Sequence, residues 1–311
     1  MRERAIARDA PTLDDVWDRA EREHYSKGKT WDRQAKAYYE NYIKPSFGRE
    51  RINGITRSDV RALFDKMAKT PTNANRMLGV LAKLINLAME WELLPEGANP
   101  CKRIKKNRER KRGRYASAEE LVAISQSLFN HALEDKRNLT GAAFLFLLIF
   151  SGARPKEIGT ATPDMITRYE QDGKTVGVLR LSDHKTGDKT GEDRLVSLPS
   201  EAMKVLDLLP TPRRYLVGRS TLPKKLWKLV QADVGCHDLW MRDMRRTFAS
   251  TAKSEGVGRD DIGDLLGHKS AQTTMIYDKL FNDDARRHVA KVGKRLAHLL
   301  DGIEQLEGTK T

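Results

Sequence analysis

Between Met241 and Tyr277 this 311-residue chain carries two arginines three positions apart, Arg242 and Arg245. A histidine follows a glycine at Gly267-His268, and nine residues later a tyrosine, Tyr277, stands in a polar helical stretch. Guanidiniums, an imidazole and a late phenol on separate short helices are what chemistry on a phosphodiester needs. Phosphoryl transfer is mostly a matter of placing positive charge around equatorial oxygens while an oxygen nucleophile lines up with the leaving oxygen. A phenol ionises near pH ~10, so a tyrosine acts as a nucleophile at neutral pH only inside a field of cations.

Two upstream segments add to this set: Ala153-Arg154-Pro155-Lys156-Glu157 and His184-Lys185-Thr186-Gly187. Together with Arg242-Asp243-Met244-Arg245-Arg246-Thr247-Phe248-Ala249 and Leu266-Gly267-His268 followed by Tyr277, they make the chain resemble the tyrosine recombinases, the integrases of phages and mobile elements. The motifs fall in the family's order at family-like separations and cover roughly residues 117–280. The resemblance implies a catalytic set of Arg154, Lys185, Arg242, Arg245, His268 and Tyr277. Arg154 and Arg245 would fork the phosphate oxygens, which a planar guanidinium can do and a lysine cannot. Lys185 would protonate the leaving 5′ oxygen, with Lys189 a competitor in the same loop. His268 would donate to a phosphate oxygen or accept the phenol's proton. Tyr277 would form a 3′-phosphotyrosyl bond that stores the phosphodiester energy, so no cofactor and no metal is expected. Glu157 reads as a group that orients its neighbours rather than one that reacts.

One position departs from the family pattern. Where the family has histidine, or sometimes lysine, three residues before the second arginine, this chain has Arg242. An arginine can hold a phosphate oxygen but stays protonated and cannot serve as a base. Base duty then passes to His268 or water, or to His237 if the loop before Arg242 were re-registered.

Composition agrees with a polyanionic partner. The formal charge is +14, with 39% hydrophobic and 32% charged residues, a folded, basic chain whose lysines and arginines would release counterions from phosphates. Cys101 and Cys236 are far apart with no ligand-like spacing, so neither a disulfide framework nor a zinc site is indicated. The longest apolar run, Ala142 to Phe150, is too short to span a bilayer, and the N-terminus lacks a signal-peptide core. A cytoplasmic protein acting on bacterial or host DNA is the expectation.

The elements that must position these residues can be read in order. After a flexible N-terminus (1–10), Thr12 caps a helix and apolar residues recur at helical spacing through Trp17, Ala20, Ala35, Tyr38, Tyr39 and Tyr42, until Pro45 and Gly48 break the pattern. Thr56 caps a helix with Val60, Leu63, Phe64 and Met67 inward, and a longer helix runs from about Thr72 to Glu92. These make a helical, core-type DNA-binding domain, 11–100, whose Arg33, Lys36, Arg76 and Lys83 could face DNA. Residues 101–116 form a basic linker with nine cations, Lys102, Arg103, Lys105, Lys106, Arg108, Arg110, Lys111, Arg112 and Arg114, against Glu109 alone. Charge of one sign keeps such a stretch extended, and a dozen residues reach about 40 Å, enough to cross a DNA groove.

The catalytic domain, 117–284, opens on a Ser117 cap. It continues through an amphipathic helix and an all-apolar helix, Gly141 to Phe150, that Ser151-Gly152 ends beside Arg154. Val176–Leu181 and Arg194–Leu198 read as a β-hairpin joined by the polar loop that holds Lys185. The remainder reads as helices near 201–209, 222–232, 239–254, 260–266 and 271–282. A C-terminal helix and tail, 285–311, carries an apolar stripe (Ala285, Val289, Val292, Leu296, Leu299, Leu300) that packs on its own domain or on a neighbouring protomer.

The fold expected is mostly α with a small antiparallel sheet in the second domain, arranged as a two-domain DNA clamp. The partners implied are double-stranded DNA recombination sites and three further copies in a homotetramer on DNA, with accessory DNA-bending or directionality proteins allowed. A resolvase, a type IB topoisomerase-like enzyme and a catalytically decayed DNA-binding module remain alternatives. A further N-terminal domain for distant arm sites, frequent in phage integrases, is either absent or lies outside this sequence.

Overall fold

The computed structural model describes residues 10–25, 30–109, 112–181, 193–267 and 283–296. The chain divides into two compact units, residues 1–112 and 113–311.

In the first unit, helix α1 (Leu13–Glu23) starts at a capping box: Thr12 Oγ1 accepts the Asp15 N–H at 3.2 Å, and the Asp15 carboxylate accepts the Thr12 N–H at 2.9 Å. Its buried face, Leu13, Val16, Trp17 and Ala20, includes the indole of Trp17 stacked on the Tyr39 ring at 4.2 Å. The sequence led us to expect a break at Pro45. Instead α2 (Thr30–Tyr38) runs through a π turn, Tyr39–Ile43, into a short α3 (Lys44–Phe47) with Pro45 in its first turn, and the run stops at Gly48. A proline there cannot donate to the helical ladder, and the π turn just before it absorbs that interruption while both Tyr39 and Ile43 bury completely. Helix α4 (Arg57–Lys66) repeats the capping box with Thr56 and Asp59, and α5 (Pro71–Glu90) is the longest described helix.

The start of the basic stretch is not an extended spacer. Cys101 and Ile104 are buried in this unit's core, and Asn107 exchanges backbone hydrogen bonds of 2.8 and 2.9 Å with the side chain of Asn75 on α5. Two apolar anchors and one amide pair outweigh the local charge repulsion.

The second unit is built around α7 (Leu139–Ser151). Every residue from Gly141 to Ser151 is buried, among them Phe144, Phe146 and Phe150, each contributing about 1.5–3 kcal/mol by burial. Helix α6 (Ala118–Glu134) packs on it from a Ser117–Glu120 capping box, and α8 (Pro155–Thr160) follows. The sheet has three antiparallel strands in the order β1 (Ile166–Gln171), β2 (Lys174–Leu181), β3 (Arg194–Leu198). We expected only the β2–β3 pair. β1 is a polar, half-exposed edge strand with no apolar alternation to mark it; its trace in the sequence is Asp172-Gly173, a tight turn with both φ values positive (49° and 68°). The connection from β2 to β3 lies outside the described residues.

Helices α9 (Ser200–Asp207), α10 (Lys224–Val234), α11 (Met244–Ser254), α12 (Arg259–Leu265) and α13 (Asp283–Leu296) complete the described part. The helix expected from residue 239 begins as a 3-10 turn, Met241–Asp243, before α11. The helix expected at 271–282 lies outside the described residues. On α13, Val289, Val292 and Leu296 are buried in this unit's own core, while Leu299 and Leu300 lie outside the described residues. No described helix is long and apolar enough to cross a membrane.

Gly152 ends α7 in the left-handed region (φ 59°), and a Cβ there would come within 2.8 Å of both Leu266 Cδ2 and Phe248 Cδ1. Gly152→Ala should therefore lower stability by about 2–4 kcal/mol, from backbone strain plus overpacking. Urea denaturation should report this as a lower midpoint at unchanged slope.

Candidate active site

The end of α7, the start of α8, strand β3 and the α11–α12 region bring three arginines around one carboxylate. Arg154 is the residue before α8. Its backbone N–H donates to Glu157 Oε2 at 2.7 Å, the acid-to-cap half of a capping box, and its Nη1 donates to Glu157 Oε1, also at 2.7 Å. Arg194, first residue of β3, donates from Nη1 to Glu157 Oε2. The Glu157 and Arg194 side chains are 5% and 4% exposed, whereas Arg154 keeps 28% of its side chain in solvent. The inner pair thus fixes the outer guanidinium from below and leaves its far edge reachable.

Arg245, on α11, pairs with no carboxylate among the described residues. Its Nη1 donates to the Gly152 carbonyl at 2.9 Å and its Nη2 to the Leu266 carbonyl. These are the C-terminal caps of α7 and α12, so the cation sits between carbonyls at the negative ends of two helices.

The electrostatics follow from this packing. Burial would raise the carboxyl pKa of Glu157, but the charge of Arg194 and the hydrogen bonds from Arg154 and Arg194 outweigh it, holding Glu157 below the usual carboxylate range. Burial pushes Arg245's guanidinium pKa down, the charges of Arg194 and Arg154 add to that, and Glu157 opposes it. Arg194 is likewise lowered, by burial first. Arginine keeps its proton through such shifts. Their physical content is that three positive charges are held beside one negative charge at an electrostatic cost, which a bound anion would relieve.

Of the catalytic residues expected from sequence, the structure brings Arg154 and Arg245 together. Arg242 is exposed, its guanidinium 4.3 Å from the centroid of the Trp240 ring. This cation–π contact gives the guanidinium a perch on the indole. Lys185, His268 and Tyr277 lie outside the described residues, although Gly267, the residue that leads to His268, is seated against Arg194.

In the basic stretch Lys102, Arg103, Lys105, Lys106 and Arg108 are exposed, and Arg112 is half-buried. Arg110 and Lys111 lie outside the described residues. Arg114 is engaged within the second unit: its guanidinium donates to both carboxylate oxygens of Glu120 and, from Nε at 2.8 Å, to Asp238. A phosphate contact from Arg114 would have to compete with two carboxylates.

The reading from sequence passed over Arg194. The available signal was strand register: Arg194 shares a face with Val196 and Leu198, both core residues, and a cation on the apolar face of a strand needs a partner.

Glu157's folded pKa lies below its unfolded value of about 4.3, so its contribution to stability is complete above that pH and is lost as pH falls through the folded pKa. Glu157→Gln should therefore flatten the acid limb of the stability–pH curve below about pH 4. Sulfate should raise the melting temperature more than chloride at equal ionic strength. The excess should shrink in Arg245→Gln to the general stabilising effect of sulfate, and the difference between the two proteins reports occupancy of the cluster.

No family model matches the chain. A curated relative, tyrosine recombinase XerA of Saccharolobus solfataricus, is 33% identical over 114 residues, 33% of this chain and 36% of that protein, so the match spans about a third of the relative's length. Among solved structures, a lambda integrase(75–356) dimer bound to a COC′ core site superposes with a TM-score of 0.65 at 15% identity, covering 85% of this chain and 97% of that one. A lambda integrase tetramer bound to a Holliday junction gives 0.65 at 15%, covering 85% and 79%. The Tn1549 transposon integrase (residues 82–397) in complex with circular intermediate DNA gives 0.61 at 13%, covering 89% and 98%. At these identities the structures establish the fold.

Proposed function

We propose that this chain is a tyrosine recombinase, a site-specific DNA recombinase of the integrase type that cuts and rejoins DNA through a 3′-phosphotyrosyl intermediate. The observation that carries the reading is the convergence of Arg154 and Arg194 on the single carboxylate of Glu157, with Arg245 held beside them on the Gly152 and Leu266 carbonyls, a surplus of fixed positive charge with one guanidinium edge open to solvent. Such a preorganised field suits the equatorial oxygens of a phosphodiester.

In this reading Arg154 and Arg245 hold the two non-bridging oxygens of the scissile phosphate, and Arg242 supports one of them from its perch on Trp240. Tyr277 Oη attacks phosphorus as the bond to the 5′ oxygen breaks. Lys185 delivers the proton that the 5′ oxygen takes up, and the phenol's proton leaves to His268 or water. The phosphotyrosyl ester keeps the energy of the broken bond, so the 5′ hydroxyl of an incoming strand can displace the tyrosine without a nucleotide. The exposed cations of residues 102–108 would run along the DNA backbone. Relatives described on a core site and on a Holliday junction support DNA sites as the partner and a tetramer as the assembly that exchanges strands.

The test is covalent capture. The full chain is incubated with a pool of nicked duplexes that trap the cleaved strand, and the adduct is digested for mass spectrometry. A peptide spanning residues 273–279 should carry the nucleotide. Tyr277→Phe should abolish the adduct while DNA binding persists, and Arg245→Gln should slow its formation by about 10²–10³-fold. DNA binding by the wild type without any adduct would make the chain a DNA-binding module instead. Relaxation of supercoiled plasmid without exchange between two sites would make it topoisomerase-like.

A further inference from the structure

We infer that Arg194 is a positioning residue of this site, seating Glu157 beneath Arg154 on one side and the Gly267 turn on the other, so that the two guanidinium forks face a common anion. The inference rests on the phosphate-clamp reading above and adds to it a residue that meets no substrate.

The observations are geometric. The Arg194 side chain is 4% exposed, and its one hydrogen bond among the described residues goes from Nη1 to Glu157 Oε2. Its Nε and Nη2 are buried with no acceptor among the described residues. Gly267 adopts φ 62° directly over the stem: a Cβ there would stand 2.5 Å from Arg194 Nε and 2.9 Å from Cδ, so only glycine permits this approach. The other carboxylate oxygen of Glu157 holds Arg154, while Leu266, next to Gly267, supplies a carbonyl to Arg245. Arg194 thus stands one contact away from each fork.

Stability alone does not account for an arginine here. A buried ion pair is a weak net stabiliser, and apolar side chains of similar volume in place of both Arg194 and Glu157 would generally do as well or better. What an apolar residue could not do is hold the Glu157 carboxylate in one orientation. Without Arg194 that carboxylate would answer to Arg154 alone, and the Arg154 guanidinium would turn inward to it, away from the anion. Because Arg194 is enclosed, its effect on the reaction passes through Glu157, Arg154 and the Gly267 turn.

The experiment uses the full chain with two readouts, the covalent-capture rate and the excess melting-temperature gain in sulfate over chloride. Arg194→Met keeps the stem and removes the charge, and Arg194→Lys keeps the charge. Met should slow adduct formation by about 10²-fold, the scale of a small misplacement of a clamp, with DNA affinity changed less than about threefold. Lys should stay within about tenfold of the wild-type rate. Combining Arg194→Met with Glu157→Gln should be no slower than the slower single variant, because both act through Arg154. The sulfate excess should fall in Met and persist in Lys.

A Met variant with the wild-type rate and sulfate excess overturns the inference, as does Met performing as well as Lys, or losses that multiply in the double variant. If Met does not fold, Arg194→Lys and its combination with Glu157→Gln are read in the same way. If the wild type forms no adduct, the recombinase reading fails, and the sulfate comparison still decides whether Arg194 sets the clamp.

Discussion

Glu157 keeps its negative charge in the interior of the second unit because a backbone N–H and two guanidiniums converge on it, and the guanidiniums in turn are oriented by that charge. Removing either side would leave an uncompensated buried ion, a far larger penalty than any net gain from forming the pair. The surrounding fold can be understood as the means of bringing these groups together. α7 buries every residue from Gly141 to Ser151 and so fixes where its last turn ends. The left-handed Gly152 then reverses the chain so that Arg154 enters α8 from the edge of the core. β3, paired to β2 with Arg194 opposite Leu181, brings the second cation up from beneath.

Arg245 is held by a different device. Among the described residues it pairs with no carboxylate; two helix ends offer their carbonyls, and the cation is tolerated by partial charges that the fold has already oriented. A guanidinium held by a carboxylate has its charge largely neutralised, whereas one held by carbonyl dipoles retains a net charge that can act on a ligand. The cluster therefore combines a neutralised inner pair, Glu157 and Arg194, with two outer cations whose fields remain available. In the function proposed above, that division of labour would give a preorganised site for a doubly bonded anion without requiring the groups to rearrange when it arrives.

The basic stretch after α5 illustrates how local charge and tertiary contacts compete. Its composition favours an extended, solvated chain, yet Cys101, Ile104 and Asn107 are tied to the first unit and Arg114 is tied to Glu120 and Asp238 in the second. Few residues suffice, because one buried apolar side chain or a satisfied amide pair outweighs the screened repulsion between surface cations at physiological salt. The exposed cations in between, Lys102, Arg103, Lys105, Lys106 and Arg108, stay on the surface.

The sequence alone determined the helical periodicities, the capping boxes at Thr12, Thr56 and Ser117, the apolar helix ending at Gly152, and the order of the motif residues Arg154, Arg242 and Arg245. These are local: a cap or an amphipathic stripe is decided by residues three or four apart, and an ordered set of motifs is visible by inspection. It did not reveal edge strand β1, the π turn that carries the chain past Pro45, or the role of Arg194. A polar edge strand is stabilised by its neighbour rather than by its own pattern. A π turn answers to the packing of Tyr39 and Ile43. Arg194 stands 37 residues from Glu157 and 73 from Gly267, which sits on its stem, so that its partner, its burial and its free donors exist only once strand and helix ends have met. Which cations stand together was decided by tertiary structure, because charges separated along the chain act strongly on one another only when folding removes the water between them.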